Sequence, residues 1–109
     1  MLTIPLNVQE PYLSFILNGQ KTVEGRLNKG KLKDLKVGDK LSIGSDEKLF
    51  MVKQINYYDS FRNMIVGEGL KSVIPDKNTV EDAEAIYYKF YTREQEKEFG
   101  VLAIKMEVL

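Results

Sequence analysis

The sequence has 109 residues, 43% of them hydrophobic and 29% charged, and Lys plus Arg balance Asp plus Glu at 16 each. A chain of this length and composition builds one hydrophobic core, and we predict a single domain over residues 1–109. It contains neither cysteine nor histidine, which excludes disulfides, thiolate or imidazole metal sites, a catalytic thiol and a histidine general base.

The same composition limits the partners and the location of the protein. No apolar stretch approaches the roughly 20 residues that span a bilayer, and residues 1–5 lack the pattern of a signal peptide. We therefore expect a cytoplasmic protein with no membrane contact, no cofactor and no metal, and we favour a monomer. Because the net charge is zero, any contact with RNA must come from a local patch.

The chain begins with a predicted helix and strand. Residues 9–18 have helical apolar spacing, with Pro11 in the first turn and Gly19 as the end signal. Residues 20–27 follow as a predicted strand that Gly25 bends or bulges.

A charged connection and a hairpin come next. Residues 29–36 are a charged connection with at most one helical turn, followed by a turn at residues 37–39. Lys40–Ile43 and Lys48–Tyr58 read as strands rich in β-branched and aromatic residues, separated by turn residues 44–47. We predict that these two strands pair as a hairpin.

The last half of the chain alternates short helices with one strand. Ser60 or Asp59 caps a predicted helix over residues 61–66, which the glycines at 67 and 69 end. Further predicted elements are a helix that starts near Thr79 and runs to Tyr91, a capping box at residues 92–95 that opens a helix closed by Gly100, and a final strand over Val101–Val108. We expect residues 101–104 of this strand to be buried, with the helix of residues 9–18 packed at one end of the sheet.

These elements predict an α+β fold with about five or six mostly antiparallel strands and three or four short helices. Strands this short in so small a chain favour a partly closed β-barrel, because closure protects strand edges.

Two stretches of the sequence resemble the ASCH family. The first runs from Gly19 through Gln20-Lys21-Thr22-Val23 to Glu24-Gly25-Arg26, and Val37-Gly38-Asp39 follows it. The second comprises Tyr58-Asp59-Ser60-Phe61, Glu68-Gly69-Leu70, Ile74-Pro75, Tyr87 to Tyr91, and Phe99 to Ile104. The order and spacing are similar to those of small stand-alone ASCH proteins of bacteria and archaea.

The resemblance implies a PUA-like barrel with a cleft that binds RNA or a modified nucleoside. One branch of the family consists of amidohydrolases that deacetylate acetylcytidine, with a motif lysine, a threonine three residues later and a more distant glutamate. Lys21 matches the lysine and Glu68 matches the glutamate. Position 24 departs from this branch, because it is Glu24 instead of threonine.

The charged residues of the signature strand are the main candidates for a ligand site. Arg26 offers a planar set of donors for phosphate or a base edge, Lys21 is a compact cation, and Glu24 either accepts from an amine or holds Arg26. Strict alternation places Glu24 and Arg26 on one face and Lys21 on the other. Lys21 then reaches the cleft only through a bulge near Gly25 or from the strand mouth. The alternative is a surface ion pair without a ligand.

Other side chains are candidates for the edge of the cleft or for packing. Tyr58 and Ser60, at the exit of the long strand, are predicted at the rim of the cleft, and Glu68 either lines the cleft or is solvated. Tyr87, Phe90 and Tyr91 have helical spacing and are assigned mainly to packing. The lysines of residues 29–36 are either solvated or form a phosphate-guiding rim beside Arg26; they are Lys29, Lys31, Lys33 and Lys36.

Three functions remain open at this point. The first is a binding module for RNA or a modified nucleoside, which uses Lys21, Glu24 and Arg26. The second is a hydrolase of acylated nucleosides or a metal-independent ribonuclease, in which Lys21 with Glu68 or Glu24 performs the proton transfers. The third is an interaction domain whose cleft has lost its ligand.

Overall fold

The computed structural model describes residues 2–109, which form one five-stranded sheet and five α-helices. The strands are β1 (Thr3–Leu6), β2 (Val23–Leu27), β3 (Lys40–Ile43), β4 (Lys48–Tyr58) and β5 (Val101–Val108). The helices are α1 (Tyr12–Leu17), α2 (Phe61–Glu68), α3 (Leu70–Val73), α4 (Val80–Tyr87) and α5 (Arg93–Phe99), and a 3₁₀ helix covers Gly30–Asp34.

The sheet is curled into a half-barrel with the strand order β1-β3-β4-β5-β2. β1 runs parallel to β3, and every other pairing is antiparallel. The predicted α+β class and partly closed barrel are confirmed, with five helices in residues 2–109 where three or four were predicted. The half-barrel leaves β1 and β2 as edge strands.

Several elements agree with their predicted bounds because local sequence specifies them. The β3–β4 hairpin pairs Lys40 with Met51 and Ile43 with Lys48, as its turn residues indicate. The Thr92 side chain accepts from the Gln95 amide while the Gln95 side chain accepts from the Thr92 amide, which is the predicted capping box.

Other elements differ from their predictions at the ends. The first helix starts at Tyr12, after the predicted residue 9, and the helix that begins at Val80 ends at Tyr87, before residue 91. Gly67 lies inside α2, so Gly69 alone ends that helix. The longest helices have eight residues, and none within residues 2–109 is long and apolar enough to cross a membrane.

The first strand was not predicted, because its pairing depends on a distant residue. The Asp39 carboxylate accepts hydrogen bonds from the backbone amides of Leu2 at 3.0 Å and Lys36 at 2.9 Å. The Lys40 amide in turn donates to the Leu2 carbonyl. The Val37-Gly38-Asp39 turn therefore fixes β1 beside β3 at the start of both strands.

β5 separates two hydrophobic clusters. Its residues 102, 104 and 106 pack inside the half-barrel with Leu41, Ile43 and Phe50, while residues 101 and 103 pack outside against α2 and α4. Val101 to Ile104 are all at most 1% exposed, which confirms the predicted burial. Helices thus cover the outer face of the sheet beside β2.

Candidate functional site

The charged residues of the signature segment form one buried ion cluster at β2. Lys21 Nζ lies 3.3 Å from Glu24 Oε1, and Arg26 Nη2 lies 3.0 Å from Glu24 Oε2. Lys21 is 2% exposed and Glu24 is 6% exposed. The three side chains therefore form one buried cluster and not a solvated surface ion pair.

Lys21 joins the cluster because it precedes the regular strand. β2 begins at Val23, while the Lys21 amide donates to the Phe15 carbonyl and the Thr22 amide to the Ser72 carbonyl. The alternation that separates the faces of a strand does not apply to a residue in this turn. The strand mouth, and not a bulge at Gly25, therefore brings Lys21 to Glu24.

The ammonium group of Lys21 has a hydrogen-bond acceptor for each of its protons. Nζ lies 2.7 Å from the Val23 carbonyl, 2.5 Å from the Val73 carbonyl and 3.3 Å from the Glu24 carboxylate. An ammonium group has three donors and no acceptor. Lys21 is thus fully engaged with β2, with the end of α3 and with Glu24.

Both carboxylate oxygens of Glu24 are also occupied. Oε1 accepts from the Gly25 amide at 3.1 Å and faces Lys21, whereas Oε2 accepts from Arg26 Nε at 3.3 Å and Nη2 at 3.0 Å. A carboxylate has about four acceptor positions. Glu24 therefore holds Arg26 in place and has little capacity left for a ligand amine.

Burial and charge act against each other on the pKa values of this cluster. Burial alone would raise the pKa of Glu24, but the cations of Lys21 and Arg26 together hold it below its ordinary value. Burial lowers the pKa of Lys21, and the negative charge of Glu24 only partly offsets that effect. Glu24 is therefore ionised at neutral pH.

Arg26 is the member of the cluster that remains available. Its Nη2 also donates to the Asn7 carbonyl at 2.8 Å, and its side chain is 19% exposed. Within residues 2–109, Nη1 makes no hydrogen bond of its own, although the Tyr91 hydroxyl is close by. Burial raises the pKa of Tyr91, and the Arg26 cation partly offsets this. Glu24 and Asn7 thus fix the guanidinium through Nε and Nη2, with the Tyr91 hydroxyl beside it.

A cavity of about 280 Å³ lies beside β2, at the open edge of the sheet, and contains this cluster. Its charged lining consists of two cations, Lys21 and Arg26, and one carboxylate, Glu24. The rest of the wall is polar at Asn7 and Gln9, and otherwise is formed mainly by Val8, Tyr12, Ile74, Ile86, Tyr87, Phe90 and Tyr91. The cavity thus combines a net positive charge with an aromatic wall.

Gly25 allows Tyr87 to pack against β2. A Cβ atom at Gly25 would lie 2.4 Å from Met64 Cε and 3.0 Å from the Tyr87 hydroxyl. The Tyr87 ring stacks on Phe61 at 4.5 Å, as predicted for a packing residue, while its buried hydroxyl has no hydrogen-bond partner in the described chain. Burial raises the pKa of this hydroxyl well above its ordinary value.

The ASCH domain family matches residues 6–109 of the chain. The chain belongs to the ASCH family. It is similar to the crystal structure of the hypothetical protein PH0355, with a TM-score of 0.94, 34% identity, and coverage of 99% of this chain and 100% of that chain. The solution NMR structure of protein PF0455 from Pyrococcus furiosus has a TM-score of 0.83 and 37% identity, with 99% and 98% coverage. No curated protein matches the sequence. The PUA-like architecture is confirmed.

Three predicted site residues of this ASCH domain lie away from the cavity. Tyr58 and Asn56 on β4 donate to Glu68 Oε2 at 2.5 Å and 2.8 Å, and the hydrogen bond to Glu68 raises the pKa of Tyr58 to about 12. Ser60 caps α2 through the Asn63 amide at 3.0 Å. None of the three lines the cavity, because the exit of β4 faces α2 instead of β2.

The lysine-rich segment also lies outside the cavity lining. Residues 30–34 form the 3₁₀ helix, and Lys29 Nζ lies 5.3 Å from the centre of the Phe99 ring. This cation–π contact uses Lys29 for packing. The described residues contain no group of three or more histidine, cysteine, aspartate or glutamate side chains arranged to hold a metal ion.

The first prediction concerns acid stability. Because the pKa of Glu24 in the folded protein is below its ordinary value of 4.5, the unfolded chain binds more protons as the pH falls, and stability decreases. The contribution is complete above pH 4.5 and is lost as the pH passes through the folded pKa. We expect Glu24→Gln to unfold at lower urea concentration than the unmodified protein at neutral pH, with a smaller difference in acid.

Urea unfolding of both proteins across this range measures the effect. The comparison is needed because backbone amides also lower the pKa of Asp39. A difference between the two proteins that stays constant with pH would contradict the assignment to Glu24.

Proposed function

We propose that the ASCH cavity beside β2 binds one nucleotide of RNA or a modified nucleoside. The observation that carries this proposal is the state of Arg26. Glu24 and the Asn7 carbonyl fix one side of its guanidinium, and Nη1 remains without a hydrogen bond at a cavity with an aromatic wall. A preorganised donor of this kind binds at lower entropic cost than a mobile surface arginine.

The size and the wall of the cavity suit a flat heterocycle. Its volume of about 280 Å³ is near the lower end of small-molecule sites, which start at about 300 Å³. Stacking of a base on an aromatic side chain contributes about 1–3 kcal/mol. Phe90 and Tyr91 lie in the lining on the side of α4, so they provide rings for this contact.

The charge of the site suits a group rich in acceptors. Two cations and one carboxylate leave a net charge of about +1 in the lining, and Arg26 Nη1 is a charged donor that makes no hydrogen bond to residues 2–109 of the chain. A phosphate or the carbonyl edge of a base would accept from it. Since the whole chain has a net charge of zero, we expect few phosphate contacts and a shallow dependence of affinity on salt.

The same contacts support binding over hydrolysis. A lysine that activates water or attacks a carbonyl needs a free lone pair, whereas the Lys21 ammonium donates hydrogen bonds to two backbone carbonyls and faces the Glu24 carboxylate. Glu68, the second group of the hydrolase hypothesis, bonds to Tyr58 and Asn56 away from the cavity. Glu24 is an ionised carboxylate, so it cannot donate to a scissile carbonyl as threonine would.

The second prediction tests the proposal against the hydrolase alternative. We expect the protein to bind ligands from a panel of nucleosides, acetylcytidine, nucleoside 5′-monophosphates and short RNAs, without releasing acetate or cleaving RNA. We also expect Glu24→Thr to remain inactive, because Glu68 is not at the cavity. Calorimetry measures binding, and chromatography of the incubated ligands detects products. Turnover of acetylcytidine that disappears in Lys21→Ala would contradict this prediction and favour an enzyme.

A further inference from the structure

We propose that the site takes single-stranded RNA across at least two nucleotides and not only an isolated nucleoside. This inference rests on the proposed function of the first cavity. A second cavity of about 200 Å³ adjoins the first, and the two share Gln9, Tyr12, Ile86 and Phe90 in their linings. Together they form a groove along the turn that follows α4.

Phe90 stands at the junction of the two cavities. Its amide donates to the Tyr87 carbonyl at 3.0 Å in the turn after α4, yet its side chain is 56% exposed. The packing role predicted for Phe90 therefore does not account for its position. Exposure of a large aromatic side chain leaves its apolar surface in water unless a partner covers it. A ring that borders both cavities offers stacking surface to the bases of two successive nucleotides.

The second cavity has one cation available for the phosphate between those nucleotides. Glu10 already accepts from the Ser14 amide and hydroxyl at 2.9 Å each, and Asp76 accepts from the Tyr12 hydroxyl at 3.1 Å. Lys77 pairs with Asp76 at 3.7 Å. Lys89 lies in the lining and makes no ion pair within residues 2–109. It is therefore free to meet a phosphate.

The loop that contributes Asp76 and Lys77 to the second cavity is held by internal hydrogen bonds. Lys71 Nζ donates to the Lys77 carbonyl at 2.7 Å, to Asn78 Oδ1 at 2.9 Å and to the Pro75 carbonyl at 3.3 Å. These contacts fix the loop that carries Asp76 and Lys77. A groove that exists before binding loses less conformational entropy when a strand occupies it.

The third prediction compares ligands that differ only in length. A nucleoside 5′-monophosphate, the corresponding dinucleotide and a tetranucleotide are titrated by calorimetry into the full chain. We expect the dinucleotide to bind at least about fivefold more tightly than the mononucleotide, because one more base stacks. Lys89→Gln should reduce the difference in affinity between dinucleotide and mononucleotide without changing the affinity for the mononucleotide. Phe90→Ala should lower the affinity for the dinucleotide more than the affinity for the mononucleotide.

Tyr57→Ala is the matched control, since Tyr57 is 63% exposed but lies on β4 outside both linings. It should bind every ligand as the unmodified protein does. Equal affinity for mononucleotide and dinucleotide, or a gain that neither Lys89→Gln nor Phe90→Ala reduces, would overturn this inference while leaving the first cavity as a nucleotide site. Absence of binding to every ligand would overturn the proposed function together with it. A peptide that competes better than the dinucleotide would replace RNA as the occupant.

Discussion

Arg26→Ala should weaken nucleotide and RNA binding by about tenfold to one hundredfold, which corresponds to about 1.5–3 kcal/mol for hydrogen bonds from a charged group. The reason is geometric, because Arg26 Nη1 is the open donor of a guanidinium that Glu24 and the Asn7 carbonyl hold in place. Calorimetric titration of both proteins with the same ligand measures the change.

Arg62→Ala provides the control for a general loss of positive charge. Arg62 pairs with Glu81 at 3.5 Å and Glu84 at 3.2 Å across α2 and α4, and its side chain is 45% exposed. Arg62→Ala removes the same charge as Arg26→Ala, but at a site outside the cavity lining. The affinity for the nucleotide should therefore be unchanged. If both variants lose affinity to the same extent, binding depends on overall charge and the cavity is not the site.

Lys21→Met should destabilise the folded protein by about 3–5 kcal/mol, the range found when one partner of a buried ion pair is removed. The change leaves Glu24 with Arg26 alone and leaves the Val23 and Val73 carbonyls without the donor they share. Urea unfolding at neutral pH measures the difference in the free energy of unfolding.

Lys53→Met is the matched change at an exposed ion pair. Lys53 Nζ lies 3.9 Å from Glu107, and its side chain is 50% exposed, so we expect a change within about 0.5 kcal/mol. Similar, small effects of the two substitutions would mean that Lys21 does not hold β2 and α3 together. In that case Lys21 would not be the residue that holds Glu24 beside Arg26.

Local signals in the sequence predicted much of the fold. Turn residues and β-branched residues specify the β3–β4 hairpin, and the residues of the Thr92 capping box satisfy each other within one helical turn. β1 could not be predicted in the same way, because its four residues pair in parallel with β3 across a separation of 37 residues in sequence. Such a pairing depends on the Asp39 turn and not on a local pattern.

The candidate site was predicted in part. The Glu-Gly-Arg signature singled out Glu24 and Arg26, and both residues line the cavity beside β2. Lys21 joins them from the strand mouth, which is one of the two routes that the sequence left open, because it precedes β2. Helical spacing predicted packing for Phe90 and Tyr91. The Tyr91 ring does stack on Phe61 at 5.4 Å, whereas Phe90 is 56% exposed. Because α4 ends at Tyr87, the following turn also carries both residues to the cavity. The cap at Thr92 begins the next helix, so it requires α4 to end several residues earlier. This early end of α4 was not predicted.

Family membership narrows the function without assigning a reaction. The position that carries threonine in the amidohydrolase branch is Glu24 here, and this carboxylate binds Lys21, Gly25 and Arg26. A residue that serves three internal partners is suited to hold a binding group in place. The difference from that branch therefore supports the proposed binding role of Arg26.

The most direct test of the nucleotide site is an NMR titration of the ¹⁵N-labelled protein with a nucleoside 5′-monophosphate. The amide of Gly25, the Nε–Hε group of Arg26 and the amides of Phe90 and Tyr91 report on the cavity. We expect their resonances to shift together and to saturate with a single dissociation constant. Shifts confined to the Gly30–Asp34 segment, with the Arg26 side-chain resonance unchanged, would contradict the proposed site.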